Sequence, residues 1–190
     1  MRPRVPTVVA GGILATLLVA GPAGARVEMT QDEALRLAFP PPQEIERHTL
    51  YLDESQARQA GEASGVSIEA RVVPYYVGRA GGRITGFAYF DTHLVRTLPE
   101  TVMIRLTPTG SIVAIDILSF DEPQDYRVTA RWLEQFRGRD AAAAPRLPST
   151  IRSLSGATLS ARAVTDAARR ILALHRLFVQ PQHHGQESAP

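Results

Sequence analysis

Apolar and polar positions alternate along Thr101 to Leu106 and again along Ser111 to Phe120, with Ile112, Ala114 and Ile117 among the apolar set. Thr107-Pro108-Thr109-Gly110 lies between them, so a period of two interrupted by turn residues predicts a β-hairpin. Residues 68–78 and 83–91 are rich in β-branched and aromatic types and are joined by 79–82 with Gly81-Gly82, which predicts an earlier hairpin. Pro74 predicts an edge position or a bulge in its first strand. The period then changes. Val164, Ala168, Ile171, Leu172, Leu174 and Phe178 recur near 3.6, with Arg162, Asp166, Arg169, Arg170 and Arg176 on the other side. Ser160 is the expected N-cap of that helix, and Arg162, Asp166 and Arg170 have the spacing for i,i+4 pairing.

Shorter elements precede and separate these. Thr30 with Glu33 and Asp53 with Gln56 form capping-box patterns for two short helices, the first ended by Pro40-Pro41-Pro42 and the second near Gly61 or Gly65. Residues 121–130 read as a loop into a helix over Arg131 to Phe136, and 138–148 as a connector. The expected class is α+β: an antiparallel sheet of two or more hairpins packed with several helices, and a long C-terminal helix. The expected division is a leader at 1–25, an N-terminal helical segment at 26–66, the main domain at 67–178 and a disordered polar tail at 179–190.

The leader rests on Arg2 and Arg4, an apolar run from Val8 to Ala20, and the small residues Ala23-Gly24-Ala25. The run falls short of the roughly 20 residues of a spanning helix and reads as a signal peptide cut after Ala25. The alternative is a retained membrane anchor. Either way the domain is expected outside the cytoplasm, in the periplasm or at the outer face of the cytoplasmic membrane. Removing Arg2 and Arg4 brings the formal charge from +2 to 0, which leaves no electrostatic argument for nucleic acid. All 21 basic residues are Arg, which excludes chemistry that requires a Lys, and the absence of Cys excludes thiolate chemistry and Cys-ligated metal centres. No metal-ligand spacing is evident, and no residue is expected to act as an acid, base or nucleophile. Redox chemistry would have to come from an organic cofactor.

Directly ahead of the long helix stands Ser155-Gly156-Ala157-Thr158, followed by Leu159-Ser160. Small residues let backbone approach a ligand, Gly156 tolerates positive φ, and Thr158 presents a hydroxyl beside the positive end of a helix dipole. An anion or ester site has this outline.

The motif resembles the flavinylation motif of FMN-binding domains, found in extracytoplasmic subunits of sodium-pumping quinone reductases and related Rnf-type complexes. In that family the motif Thr is joined through its hydroxyl to the phosphate of FMN by a flavin transferase. The resemblance extends over roughly 67–178 and includes Asp121-Glu122-Pro123, Tyr126, Arg131-Trp132-Leu133 and Gln135-Phe136. It implies FMN as cofactor, Thr158 as the covalent attachment residue, and a phosphate pocket shaped by Ser155, Gly156, Ala157, Leu159 and Ser160. It also implies a flavin surround in which Tyr126 and Trp132 form an aromatic wall and Glu122 is the family's acidic residue. The polar connection at 91–97, with His93, Arg96 and Thr97, is expected near the flavin. One position departs: the family's acidic residue three before the motif Ser is Arg152 here. An Arg there either helps to neutralise a phosphate or impairs recognition by the transferase. The implied function is electron transfer, with a flavin transferase for maturation and a membrane or extracytoplasmic redox partner. The alternatives are a non-redox binding module that has lost flavin and a flavin-dependent reductase of a small molecule.

Overall fold

The computed structural model describes residues 28–184. The expected leader and residues 185–190 of the expected tail lie outside them. Five antiparallel strands form one sheet in sequence order: β1 Glu44–Tyr51, β2 Val72–Ala80, β3 Arg83–Leu94, β4 Pro99–Leu106 and β5 Ile112–Phe120. The helices are α1 Gln31–Ala38, α2 Glu54–Ser64, α3 Ala130–Leu133, α4 Thr158–Leu174 and α5 Gln180–His184. This is the expected α+β class.

The strand alternation assigns the two faces. Tyr75, Val77, Phe87, Tyr89, Val102, Ile104, Ile115 and Ile117 point to the main core under α2 and α4. Their neighbours Tyr76, Ala88, Met103 and Leu118 point to a smaller core that includes Ala34, Leu35 and Phe39 from α1 and the chain just after it. The Phe39 ring packs against Gly78, where a Cβ has no room. From α4 come Val164, Ile171, Leu172 and Leu174, each buried and worth about 1.5–3 kcal/mol of apolar burial.

Both expected capping boxes form. Thr30 and Glu33 bond reciprocally at the start of α1, as do Asp53 and Gln56 at the start of α2. Between these helices, however, the N-terminal segment contains a strand, β1, and is not purely helical. With β1 alongside, β2 is an interior strand. Pro74 is tolerated because the β2–β3 pairing begins only at Tyr75, and the irregularity in that pairing falls at Gly78/Arg79. Residues 91–94, expected in a connection, extend β3 opposite β4.

The C-terminal helix also differs from expectation. It does not stop at Phe178: a π-helical turn over His175–Val179 leads directly into α5. Two histidines fasten this extension to the sheet. His175 Nδ1 lies 2.8 Å from the Tyr89 hydroxyl, and His183 Nε2 lies 3.2 Å from that of Tyr75. Residues 179–184 are therefore ordered helix rather than disordered tail. The expected i,i+4 charge ladder on α4 does not form. Asp166 meets Arg169 at 3.7 Å, and Arg170 reaches across to Asp91 on β3.

The two sheet edges are treated differently. Along β5, Leu118 C=O accepts from the amides of Glu28 and Met29, while Ile112 exchanges backbone bonds with Arg139 and Gly138. Beyond β1 no strand pairs among the described residues. Among the described residues, no helix is long and apolar enough to cross a membrane.

Candidate flavin site

The approach to the motif is held by one short helical stretch. Thr129 caps α3 by accepting from the Trp132 amide at 3.2 Å. Trp132 is buried and meets Phe136 edge-on, and its indole N–H donates to the Arg152 carbonyl at 2.6 Å. The Arg152 amide donates to Gln135 Oε1 at 2.8 Å. Side chains three residues apart, on one turn, thus grip both backbone groups of Arg152. Arg139 holds the Thr150 carbonyl at 3.0 Å, and Ile151 is fully buried. Trp132, expected as a wall of the flavin site, is placed in the core as part of this grip. The Arg152 side chain itself is exposed.

The motif then turns. The Leu154 carbonyl accepts from the Ala157 amide at 3.2 Å, with Gly156 at φ +84°. This is the position of a β-turn that requires positive φ. A Cβ on Gly156 would meet nothing within 4 Å, so backbone conformation rather than crowding requires glycine there. Ala157 is buried and occupies the N-cap position of α4, where no side chain caps the helix. The first helical bond runs from the Ala161 amide to the Ala157 carbonyl at 2.9 Å. Ala is a poor N-cap relative to Ser, Thr, Asp or Asn by about 0.5–2 kcal/mol, and a phosphate can replace the missing acceptor.

Thr158 is the first helical residue and is exposed; its hydroxyl makes only a long bond of 3.4 Å back to the Leu154 carbonyl. Ser160 is not the N-cap expected of it. It lies inside the first turn, fully buried, and its hydroxyl donates to the Tyr126 carbonyl. Ser155, Gly156 and Leu159 are exposed.

Tyr126 belongs to the loop facing the motif. Its ring carries the Arg96 guanidinium 5.5 Å from the centroid. Glu122 is buried and fastens this loop to 95–98: its Oε1 accepts from the amides of Thr97 at 2.8 Å and Leu98 at 3.0 Å, and from the Thr97 hydroxyl at 3.3 Å. Those backbone donors hold its carboxyl below the usual range. Arg127, next in the loop, forms a two-pronged ion pair with Glu28. Arg96, Thr97, Glu122, Tyr126 and Ser160 therefore form one linked group, continuous with the motif.

His93 is placed elsewhere. Its Nδ1 meets Asp91 at 2.8 Å and its Nε2 meets Glu100 at 3.1 Å. Asp91 in turn takes Arg170 at 2.8 Å. Arg170 is twelve residues along α4 from Thr158, about 18 Å by helical rise. Burial alone lowers the His93 pKa, but the bonds and charges of Asp91 and Glu100 outweigh it and raise the pKa to about 9. Asp91 is pushed up by burial, and its bonds to His93 and Arg170 more than offset this and hold it low. The sequence places Asp91 in a polar connection, Arg170 in a helix-surface charge ladder and Gln135 in the segment ahead of the motif, but assigns no site role to these residues or to Glu100. A signal existed for two of them: Asp91 shares a strand face with His93, and Glu100 stands directly opposite it in the β3–β4 register.

Residues 98–173 match the family model described as FMN-binding domain. Over these residues the match supports an FMN-binding family domain. The match runs from the residue before β4 to the penultimate residue of α4, taking in the Glu122 loop, the Trp132 grip and the motif. It indicates FMN as the cofactor of the domain. No curated protein and no solved structure matches the chain. The residues fit the group: the motif offers an uncapped helix start for a phosphate, Arg96 and Arg152 offer exposed cations, and Tyr126 with the exposed Leu98 and Leu159 offers apolar surface for a ring.

Proposed function

We propose that this protein is an exported electron-transfer domain that carries FMN as a phosphoester on Thr158. The observation that carries the reading is the exposed Thr158 hydroxyl at the first position of a long helix that no side chain caps. Flavin supplies the redox chemistry, and the chain supplies attachment and surroundings. The ester forms between Thr158 Oγ1 and the FMN phosphate, with overall loss of water, in a reaction assigned to a flavin transferase. Forming it removes only a long hydroxyl bond to Leu154. The helix start and its dipole then face a phosphate, a contact worth about 0.3–2 kcal/mol. The ester makes retention outside the cytoplasm independent of affinity. A membrane or extracytoplasmic redox partner would exchange electrons with the flavin.

The test is the intact mass of the secreted protein from a host expressing a flavin transferase, compared between wild type and Thr158→Val. The expected result is cleavage after Ala25 and an increment of one FMN less one water, with the increment absent in the near-isosteric variant. Full-length mass would overturn cleavage, and a mature protein without increment or flavin absorbance would overturn the tether.

A further inference from the structure

A cavity of about 660 Å³ lies between the 66–74 stretch, the end of β3 and the later turns of α4. Its walls are mostly apolar, including Ile68, Val73, Phe90, Ile171 and Leu174, and Val72 and Leu94, which also line it, are exposed. Its polar groups are Ser67, Glu69, Thr92 and the Asp91–His93–Arg170 cluster. A volume in the range of small-molecule sites, apolar walls and a few convergent polar groups are the features of a ligand pocket.

The charges restrict what enters. Arg170 and His93 are matched by Asp91 and Glu100, four groups in one bonded chain with no net charge. Glu69, exposed on the opposite wall, is the remaining ionised side chain lining the cavity. An anionic ligand would meet no uncompensated cation and would lose its hydration. A donor remains, however. Arg170 uses Nε and Nη2 on Asp91, while its Nη1 donates to none of the described residues. We propose that this cavity binds a neutral, largely apolar small molecule carrying one hydrogen-bond acceptor, such as a carbonyl, directed at Arg170. The site is separate from the motif, about 18 Å away along α4, and its occupancy does not depend on the flavin tether.

The experiment titrates three near-isosteric probes, 2-acetylnaphthalene, 2-naphthoate and 2-ethylnaphthalene, into the full mature chain made without a flavin transferase. The ketone is expected to bind with a Kd below about 1 mM, and both the carboxylate and the hydrocarbon about tenfold more weakly. Ala70→Trp, at an exposed wall position, should weaken the ketone by about tenfold or more with an unchanged melting temperature. Methyl NMR shifts of Ile171 and Leu174 in the wild type locate the ligand whether or not that variant folds. Carboxylate binding as tight as the ketone's, a folded Ala70→Trp with undiminished affinity, shifts at Leu159 in place of Ile171 and Leu174, or no ketone binding up to its solubility limit would each overturn the proposal.

Discussion

Replacement of His93 by Leu should lower the unfolding free energy by about 3–5 kcal/mol, the range for removing one partner from a buried ion pair. His93 stands between two carboxylates, and a doubly protonated ring satisfies both of them. Glu100 has no exposure at all, and its Oε1 is already without a bonding partner among the described residues. Without the imidazolium, Glu100 loses its one side-chain partner. Chemical denaturation gives the number, and a Leu variant as stable as wild type would show that the ring matters only as volume. The same site sets a pH dependence. A folded pKa of about 9 against the usual 6.5 means the stabilisation is complete below pH 6.5 and is lost as pH rises through 9. That difference corresponds to about 3 kcal/mol. The Leu variant should be flat over that range. On the acid side, the lowered Asp91 pKa contributes stability that is present above its unfolded value and disappears as pH falls through the folded one.

Gly156→Ala is expected to separate folding from flavin loading. At φ +84° an L-residue is strained by about 1–3 kcal/mol, while the added methyl touches nothing within 4 Å. The cheapest relief is a change of the turn itself. That change would shift Ala157 and the Thr158 hydroxyl at the start of α4, while Val164, Ile171, Leu172 and Leu174 further along the helix keep their packing. Stability should therefore fall by no more than about 1–3 kcal/mol, whereas the initial rate of FMN incorporation by a flavin transferase should fall by about tenfold or more, since loss of positioning has steep effects on rate. Full strain seen in denaturation together with an unchanged loading rate would mean that the transferase does not read this turn.

The β4–β5 hairpin and α4 were legible because each buries one face, so that period and burial coincide. Strand β1 was not: its residues Glu44, Glu46, Arg47 and His48 put charge or imidazole on both faces, and only Leu50 is buried. The helical continuation past Phe178 was hidden for a different reason. His175 and His183 look polar in the sequence but bond to tyrosines on β3 and β2. Around the site, the motif and its turn were legible locally, because Gly156 and Thr158 act through their own backbone and hydroxyl. The grip of Trp132 and Gln135 on Arg152 depends on 17 to 20 residues of intervening chain. The placement of His93 depends on strand register and on a helix that follows much later, and neither is written in the polarity of residues 91–97.

The outer side of β1, which no strand pairs among the described residues, bears on how the protein behaves when crowded. An unpaired strand edge is a template on which a second chain can add, and sheets assemble into fibres from such edges. Here any incoming strand would have to strip water from Glu44, Glu46 and Arg47, while the opposite border of the sheet is occupied by the chain's own backbone at Glu28, Met29, Gly138 and Arg139. Growth is discouraged at one border and obstructed at the other, so the folded domain should stay colloidally dispersed without relying on net charge, which is only +2 by formal count over the full sequence.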